Sequence, residues 1–552
     1  MEPVGGGSIT SPNGLGILSA YPMPNLTTPI GGNKNWFFNA THPQRQRKDT
    51  LAVDVNLTDN QRLRYRREYY AFFEYQPLDG GTNETPKFFN RPNFTNSFDY
   101  TWVISPTKVN EVLLTLSHDR VLIPVDAAHF LDRTTVGLNY PYIFPGTEKE
   151  IPTRIPTVNM TNFSTLSGGP YPSHSAGPIA DVSDSFTWTR GNHTLKFGGL
   201  YEWQGENDND EINVQACPTC TNNQNGQFSF TDSESGGTGA AVANAAIGLF
   251  NTYSEIGHRA YTIFRGNMWE GFAQDSWSAT RKLHLDYGVR YTVIVPYHAD
   301  WGNMITFDPA FYDPNNAVTV DPATGLITGR PTIDQLYNGM VIPGNSFPSS
   351  ANGRVPADIL SIYNFLHKGL PNHYSDIQWG DIQPRLGIAY SFNDKTVLRA
   401  GAGRFITRLG VSDSIFLGVG GNPPFQPNPS VSLGCVDNPK GSSATCTRPD
   451  GGTSSVPLVV TTQSLAFKNP EAWGWNVTLE RQMPWQSFLS VGYVGRRGLH
   501  LQREADINQP TLAVVSANPG VNINALRPYK GFGSIRETDN VASSRYNSLQ
   551  VA

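Results

Sequence analysis

The stretch from Asn267 to Pro296 constrains the fold of this chain more than any other part of the sequence. After Lys282 its residues alternate between apolar and polar, with Ile294 as the one exception. The apolar parity holds Leu283, Leu285, Tyr287, Val289, Tyr291, Val293 and Val295, and the other holds His284, Asp286, Gly288, Arg290 and Thr292. Strict alternation of this length predicts a half-buried β-strand rather than a helix. Because Met268–Trp277 also reads as a strand and Ser278–Lys282 is short and polar, the two segments are predicted to form an antiparallel hairpin.

The length of these strands and the placement of their aromatic residues favour a membrane-spanning barrel. Strands of soluble sandwiches usually have about five or six residues, whereas a tilted strand needs roughly 9–11 residues to cross a bilayer. The apolar parity carries aromatic residues near its ends, as an outward face that meets lipid headgroups would. The candidates for facing lipid are Leu283, Leu285, Tyr287, Val289 and Tyr291. A large soluble antiparallel sheet with long strands is the alternative that this hairpin leaves open.

The same arrangement of long strand, short turn and long strand recurs along the chain. The predicted strand pairs are Leu51–Leu57 with Arg62–Tyr75, Asn96–Ser105 with Val109–Val121, Ile179–Thr189 with Thr194–Trp203, Ile382–Ser391 with Thr396–Phe405, and Trp473–Gln482 with Gln486–Leu501. Long loops are predicted near 122–178, 204–235, 297–381 and 407–457. Short turns at one end and long loops at the other are typical of outer-membrane barrels, with short periplasmic turns and long extracellular loops.

The fold class predicted is therefore all-β: a large antiparallel transmembrane barrel of about 15–16 strands in this chain, and incomplete. Residues 1–50, rich in Gly, Pro and Asn, are predicted to form an irregular loop, and 51–552 to form the barrel. Polar side chains on the inward parity are predicted to line the lumen, although a solvated face of a soluble sheet remains an alternative for the arginines of the second strand. The lumen-facing candidates are Arg62, Arg64, Arg66, His284, Asp286, Arg290 and Arg399.

The composition supports an exported β-protein. Charged residues make up 16% of the chain and aromatic residues 11%, beside 53 Gly and 41 Pro, which suits a β-rich outer-membrane or extracellular protein better than a cytosolic enzyme. A net charge of −5 provides no basic field for nucleic acid, so no nucleic-acid partner is expected. Since Met1–Thr10 lacks the pattern of a signal peptide and an exported barrel requires one, the chain is expected to be an internal fragment.

The four cysteines are predicted to form disulfides within loops. Cys217, Cys220, Cys435 and Cys446 all lie in segments rich in Asn, Gly, Ser and Pro. Local disulfides in exported loops are the favoured interpretation. A zinc site remains a weaker alternative because only the first pair has ligand-like spacing.

Several segments resemble TonB-dependent outer-membrane receptors, particularly their Oar-like subgroup. The matching stretches are GFAQDSWSATRKLHLDYGVRY at 271–291, RLGIAYSFNDKTVLRAGAGRF at 385–405, GNHTLKFGGLYEW at 191–203, PEAWGWNVTLERQMPWQSFLSVGYVGRRGLHL at 470–501 and SRYNSLQV at 544–551. The resemblance implies location in the outer membrane, contact with its lipid, and a TonB energy-transducing complex that acts on a plug outside this chain. In that subgroup a carboxypeptidase-regulatory-like domain precedes the plug and the barrel.

The sequence contains no motif that indicates catalysis. It lacks a nucleophile elbow, an HExxH helix, a phosphate-binding loop and a dinucleotide fingerprint, so no enzyme activity, cofactor or metal is predicted. The acidic residues Glu202, Glu206, Asp208, Asp210 and Glu211 are interpreted as a solvated loop, because they lack the spacing and glycine of a calcium-binding loop.

Three functions follow as hypotheses. The leading one is uptake of a scarce small ligand, an iron chelate, a glycan or a peptide, across the outer membrane. The second is a secreted or surface module that binds carbohydrate without transport. The third is a secreted hydrolase that uses Glu202 or Glu206, and it would lose activity when either is changed.

Overall fold

The computed structural model describes residues 10–31, 34–78, 80–169, 171–208, 223–257, 259, 261–410, 421–443, 446 and 455–552. Its strands are β1 Gln44–Thr58, β2 Gln61–Gln76, β3 Lys87–Ser105, β4 Lys108–Ile123, β5 Thr157–Met160, β6 Ser173–Arg190, β7 His193–Asp208, β8 Gln227–Phe230, β9 Leu249–Ser254, β10 Thr262–Trp277, β11 Leu283–Ala299, β12 Thr306–Phe307, β13 Met340–Val341, β14 Ile382–Asn393, β15 Thr396–Ile406, β16 Ser430–Cys435, β17 Leu458–Gln463, β18 Glu471–Gln482, β19 Phe488–Asp506 and β20 Phe532–Val551. The described α-helices are α1 Pro12–Ser19, α2 Ala241–Ile247, α3 Ile333–Leu336, α4 Ala357–Ile362, α5 Leu512–Ala517 and α6 Ile523–Leu526.

Fourteen strands form one large sheet, called the wall here. Its order is β1-β2-β3-β4-β6-β7-β10-β11-β14-β15-β18-β19-β20-β17. All neighbours are antiparallel except β17, which runs parallel to the first part of β20. In the part of the chain that the structure describes, β1 and β20 do not pair with each other, so the sheet is not closed. The predicted all-β class with a large antiparallel sheet is confirmed, and the predicted strand count was one or two higher than the wall contains.

The two ends of the wall differ in the length of their connections. Six hairpins close through turns of two to five residues at one end: 59–60, 106–107, 191–192, 278–282, 394–395 and 483–487. The connections at the other end run over 77–86, 124–172, 209–261, 300–381, 407–470 and 507–531. Each of the six predicted hairpins is present, and the observed strands mostly extend further toward the long connections, because pairing with a neighbour continues beyond the alternating segment.

Aromatic side chains mark the limits of an apolar band on one face of the wall. This outer face is the one that carries Tyr287 and Val289 in β11. On the neighbouring β10, Trp269 and Trp277 lie on the same face, since they pair with Val293 and Leu285. At roughly 3.3 Å per residue and a tilt near 40°, their separation corresponds to about 20 Å along the barrel axis, similar to the apolar band of outer-membrane barrels.

The long connections fold into a layer with its own cores, called the cap here. One core joins α1 and α2 with β5, β8 and β9, and includes Ile17, Phe228 and Phe250, each fully buried. A second core joins residues of the 300–381 connection to Val460, Phe532 and Ile535. These contacts bring together segments that are far apart in the chain, and so local hydrophobic patterns gave no indication of them.

The first fifty residues are not wholly irregular, which corrects the sequence-based prediction. Helix α1 begins after Ser11, whose hydroxyl accepts a hydrogen bond from the Gly14 amide at 2.8 Å. It packs closely on α2, because a Cβ at Gly14 would lie 2.0 Å from the carbonyl oxygen of Ala245. A Ser-Pro pair at the N-cap and first helical position is a signal that could have identified this helix. In addition, β1 begins at Gln44 rather than at Leu51.

Among the described residues, no helix has the length and apolar character needed to span a membrane.

Candidate functional site

The inner face of the wall is covered where it meets the cap. On β11, Thr292 is 1% exposed and Ile294 5% exposed, whereas Val289 on the opposite face is 46% exposed. Ile294 is the residue that broke the alternation in the sequence. Its apolar side chain lies on the polar parity because the cap shields it from water. The candidate site is therefore the region where inner wall and cap meet.

A chain of polar contacts crosses four strands on this inner face. Arg290 in β11 forms an ion pair with Glu270 in β10. The Thr292 hydroxyl donates to the other Glu270 carboxylate oxygen at 2.8 Å and accepts from the Gln383 amide at 2.7 Å. Gln383 in turn accepts from the backbone amide of Ile406 in β15 at 3.0 Å. These bonds satisfy polar groups that the cap removes from water, as buried polar groups require.

Arg408, just after β15, is the most unusual side chain of this region. Its side chain is 8% exposed, and its Nη1 contacts the Glu202 carboxylate at 2.9 Å. Its guanidinium carbon lies 4.6 Å from the centroid of the Tyr297 ring. Its Nε and Nη2 atoms have no hydrogen-bond partner among the described residues. Gly266 makes room for this arrangement, because a Cβ there would lie 2.3 Å from Nη2 of Arg408.

A small cavity adjoins this arginine. Its volume is about 30 Å³, and its lining includes Tyr297, Asp376, Arg408 and Gln463. The Gln463 Nε2 donates to the Ser375 hydroxyl at 2.8 Å, while its Oε1 is buried without a partner among the described residues. A space of this size accommodates one water-sized group. We call Glu202, Tyr297, Arg408 and Gln463 the sub-cap site; its unsatisfied N–H groups favour an oxygen acceptor.

The predicted lumen-facing residues all lie on the inner face. Their contacts with carboxylates, most of them solvent-exposed, are Arg62 and Arg64 with Asp54 at 2.8 and 2.9 Å, Arg66 with Glu68 at 2.8 Å, His284 with Asp286 at 3.3 Å, Arg290 with Glu270, and Arg399 with Glu480 at 3.4 Å. Only Arg290 belongs to the covered region at the cap; the others lie nearer the short turns. That these side chains line an aqueous lumen stays a prediction.

The predicted lipid-facing residues lie together on the outer face. Tyr287, Val289 and Tyr291 are 43%, 46% and 39% exposed, and Leu283 and Leu285 are half-buried. The Tyr287 hydroxyl donates to Asp275 at 2.8 Å, and this carboxylate also contacts His193 at 2.7 Å. The outer face therefore includes the Asp275 carboxylate near the short turns, which the sequence pattern of β11 did not indicate. Contact of this face with lipid stays a prediction.

The structure describes two of the four cysteines. Cys435 and Cys446 form a disulfide, close to the segment where Asp437 accepts a hydrogen bond from the Asn13 side chain at 2.8 Å. Cys217 and Cys220 lie outside the described residues, as do Asp210 and Glu211 of the acidic run. Within the described ranges, no group of three or more His, Cys, Asp or Glu side chains is arranged to hold a metal ion.

Sequence reasoning missed the members of the sub-cap site. Glu202 lies at the end of the predicted strand Thr194–Trp203 and is found in β7, but the sequence gives no sign that it pairs with an arginine 206 residues later in the chain. Arg408 lies in the predicted loop near 407–457, and Gln463 lies between that loop and the predicted strand Trp473–Gln482. In neither segment does a periodic pattern distinguish a buried side chain from an exposed one. No local signal could have identified them.

The cap contains a buried carboxyl group, and ionisation of this group should destabilise the cap. Glu234, between β8 and α2, is 7% exposed, and neither carboxylate oxygen has a hydrogen-bond partner among the described residues. Burial raises the pKa of Glu234 from 4.5 to about 8. The folded cap therefore binds a proton that the unfolded chain releases above pH 4.5, and cap stability should fall as pH rises from about 4.5 toward 8.

We expect hydrogen exchange of the β8 and β9 amides, corrected for intrinsic rates, to show this loss of protection between pH 5 and pH 8. The variant Glu234→Gln should retain its protection across the same interval, because its amide carries no charge. Equal pH dependence in the two proteins would contradict the assignment.

Comparison with known proteins places the chain in a family. The family model described as an outer membrane beta barrel domain matches residues 4–552. None of the curated proteins matches. Among solved structures, the outer membrane transporter YddB from Escherichia coli aligns with a TM-score of 0.48 and 10% identity over 93% of this chain and 45% of that one. A ferric enterobactin receptor mutant from Pseudomonas aeruginosa aligns with a TM-score of 0.45 and 11% identity over 96% and 51%.

This chain spans about half the length of those solved structures. The match to the family model, by contrast, covers nearly all of the chain. The predicted location in the bacterial outer membrane is thereby confirmed. The chain belongs to the outer membrane beta barrel domain family.

Proposed function

We propose that this chain supplies the wall and the ligand-capturing cap of a TonB-dependent transporter for a small ligand. The observation that supports this proposal best is the covered inner face. Short turns connect the strands at one end of the wall, and a folded cap with apolar cores of its own lies over the inner face at the other. A cap of this kind selects what enters the lumen. The plug and the energy-transducing partner would act from outside this chain.

The sub-cap site suggests which part of a ligand is held. Arg408 is fixed by Glu202 and Tyr297, and two of its guanidinium nitrogens, Nε and Nη2, still have N–H groups to donate. Carboxylate or phenolate oxygens of an iron chelate, or the terminal carboxylate of a peptide, match these donors better than the neutral hydroxyls of a glycan. The adjoining cavity admits only the tip of such a ligand, so the remainder would contact the cap.

The orientation of the wall can be tested with single cysteine labels in lipid vesicles. Val289→Cys on the outer face and Asp286→Cys on the inner face would each carry an environment-sensitive fluorophore, with the unsubstituted protein as the background. We expect doxyl-labelled lipid to quench the label at position 289, and aqueous iodide to quench the label at position 286. Quenching of both labels by iodide alone would favour a water-soluble binding module instead.

Transport is tested in the source bacterium with the intact gene. Uptake of a radiolabelled ferric siderophore, a tetrapeptide and a maltodextrin would be compared in wild-type cells, in a strain without the gene and in a strain without TonB. Uptake of one of these ligands should require both genes. Arg408→Ala should reduce that uptake about tenfold, since one charge-assisted contact is worth roughly 1.4 kcal/mol or more. The matched control is Arg399→Ala, which removes an exposed inner-face arginine distant from the cap.

Unchanged uptake in the strain that lacks the gene would rule out transport of the three ligands by this protein. A tenfold loss in Arg399→Ala as well would show that Arg408 has no special role.

A further inference from the structure

Two arginines lie directly opposite each other on the outer face of the wall. Arg497 in β19 pairs in register with Arg545 in β20, and both side chains are exposed. The two arginines belong to one row of residues that pair across adjacent strands. In this row Arg497 also pairs with Trp473 in β18, and Trp473 pairs with Arg404 in β15. Like charges directly opposite on adjacent strands destabilise a sheet.

The arginine pair lies at the upper limit of the apolar band, toward the cap. Below it on β19 are Tyr493 and Val491 on the same face. Arg497 follows the start of β19 by nine residues, which at about 3.3 Å per residue and a tilt near 40° is roughly 23 Å from the short turns. The indole of Trp475 leans over Gly495, where a Cβ would lie 2.2 Å from its Nε1. Tryptophan at this level is typical of the interface between the hydrocarbon and the headgroups.

A neighbouring arginine on the outer face is neutralised by a carboxylate of the same chain. Arg404, on the same face, forms hydrogen bonds with the Glu471 carboxylate, including one from Nε at 2.6 Å. Among the described residues, neither Arg497 nor Arg545 has a carboxylate within 4.0 Å. The positive charge of the pair is therefore left for an anion outside the chain.

We infer that Arg497 and Arg545 bind a phosphate group of the phosphorylated glycolipid in the outer leaflet of the outer membrane. The inference rests on the membrane orientation that is part of the proposed function. Two guanidinium groups on adjacent strands can each donate to one phosphate, which offsets their mutual repulsion. The acyl chains of the same lipid would lie along the apolar band below, against Tyr493. The expected ligand is thus a lipid with a phosphate at the level of Trp473.

The inference is tested with the purified full chain in detergent micelles. Binding of lipid A would be compared with binding of dephosphorylated lipid A by native mass spectrometry. We expect Arg497→Gln/Arg545→Gln to reduce the affinity for lipid A at least fivefold. The matched control is Arg496→Gln, which removes the adjacent arginine of the same strand but on the inner face, and it should leave lipid A affinity unchanged. The double lysine variant should recover part of the affinity, and far-ultraviolet circular dichroism verifies the β-sheet content of every variant.

Four results would overturn the inference. The double glutamine variant would bind lipid A as the wild type does, or Arg496→Gln would lose as much affinity, or dephosphorylated lipid A would bind equally well. Release of lipid A by millimolar inorganic phosphate would indicate a site for free anions instead of lipid. The fluorophore at position 289 tests separately whether the outer face of the wall meets lipid. A failure of the proposed function is therefore distinguishable from a failure of this site.

Discussion

Replacing Glu255 by alanine is expected to lower the free energy of unfolding of the cap by about 3–5 kcal/mol, the usual cost of leaving one member of a buried ion pair alone. Glu255 and Lys149 are both fully buried side chains, with 2.6 Å between the Glu255 carboxylate and Nζ. The same carboxylate accepts the backbone amides of Ile143 and Phe144 at 2.9 and 3.0 Å and the hydroxyl of Tyr253 at 2.5 Å. Alanine would leave all of these donors without their acceptor.

The measurement is hydrogen exchange of the cap amides, with the wall amides of the same protein as the internal reference. Glu150→Ala is the matched control. Glu150 follows Lys149 in the same segment of the cap and is exposed, so its removal should change the stability of the cap by no more than about 0.5 kcal/mol. Equal effects of the two substitutions would show that the buried pair does not hold the cap together. Because burial lowers the pKa of Lys149, a neutral lysine in Glu255→Ala would bring the loss toward the lower limit of the range.

Replacing Val289 by arginine is expected to destabilise the wall in a bilayer by about 2–4 kcal/mol, the cost of a basic side chain at the midplane on the lipid side of a barrel. Val289 pairs with Ala273, which lies midway between Trp269 and Trp277 in β10, so it marks the centre of the apolar band. Urea unfolding in lipid vesicles, followed by tryptophan fluorescence, measures this loss.

Val494→Arg is the control on the inner face of β19, where Val494 pairs with Asn476. An arginine there reaches water, and we expect less than about 1 kcal/mol of destabilisation. If the two substitutions destabilise the wall equally, the two faces of the wall would not differ in their surroundings, and the outer face would not meet lipid.

Sequence pattern predicted the wall much better than the cap. Alternation is a local property with a period of two residues, and it places Tyr287 and Val289 on one face without knowledge of the rest of the chain. The six hairpins were found for this reason, and their short polar turns fixed the pairing. The observed strands are longer than the predicted ones. In β1, for example, Gln44–Thr50 forms a strand because it pairs with β2, although its own sequence does not alternate.

The cap and the sub-cap site depend on contacts between distant segments. The buried pair Lys149–Glu255 is 106 residues apart in sequence, and Glu202–Arg408 is 206 residues apart. A glutamate or an arginine in a loop is usually exposed, so the residues themselves gave no reason to expect burial. Only Ile294 signalled the cap from the sequence, through the single exception to the alternation of β11.

The parallel strand β17 has a consequence for the order in which the protein assembles. It belongs to the connection between β15 and β18, yet its partner is β20, the last strand of the wall. Leu458 lies opposite Phe532, and Val460, Phe532 and Ile535 share one core. Segment 458–463 of this connection therefore cannot reach its final position before the first part of β20 is in place. The second core of the cap is completed only at that stage, whereas the first core, which contains no residue of β17 or β20, can form earlier.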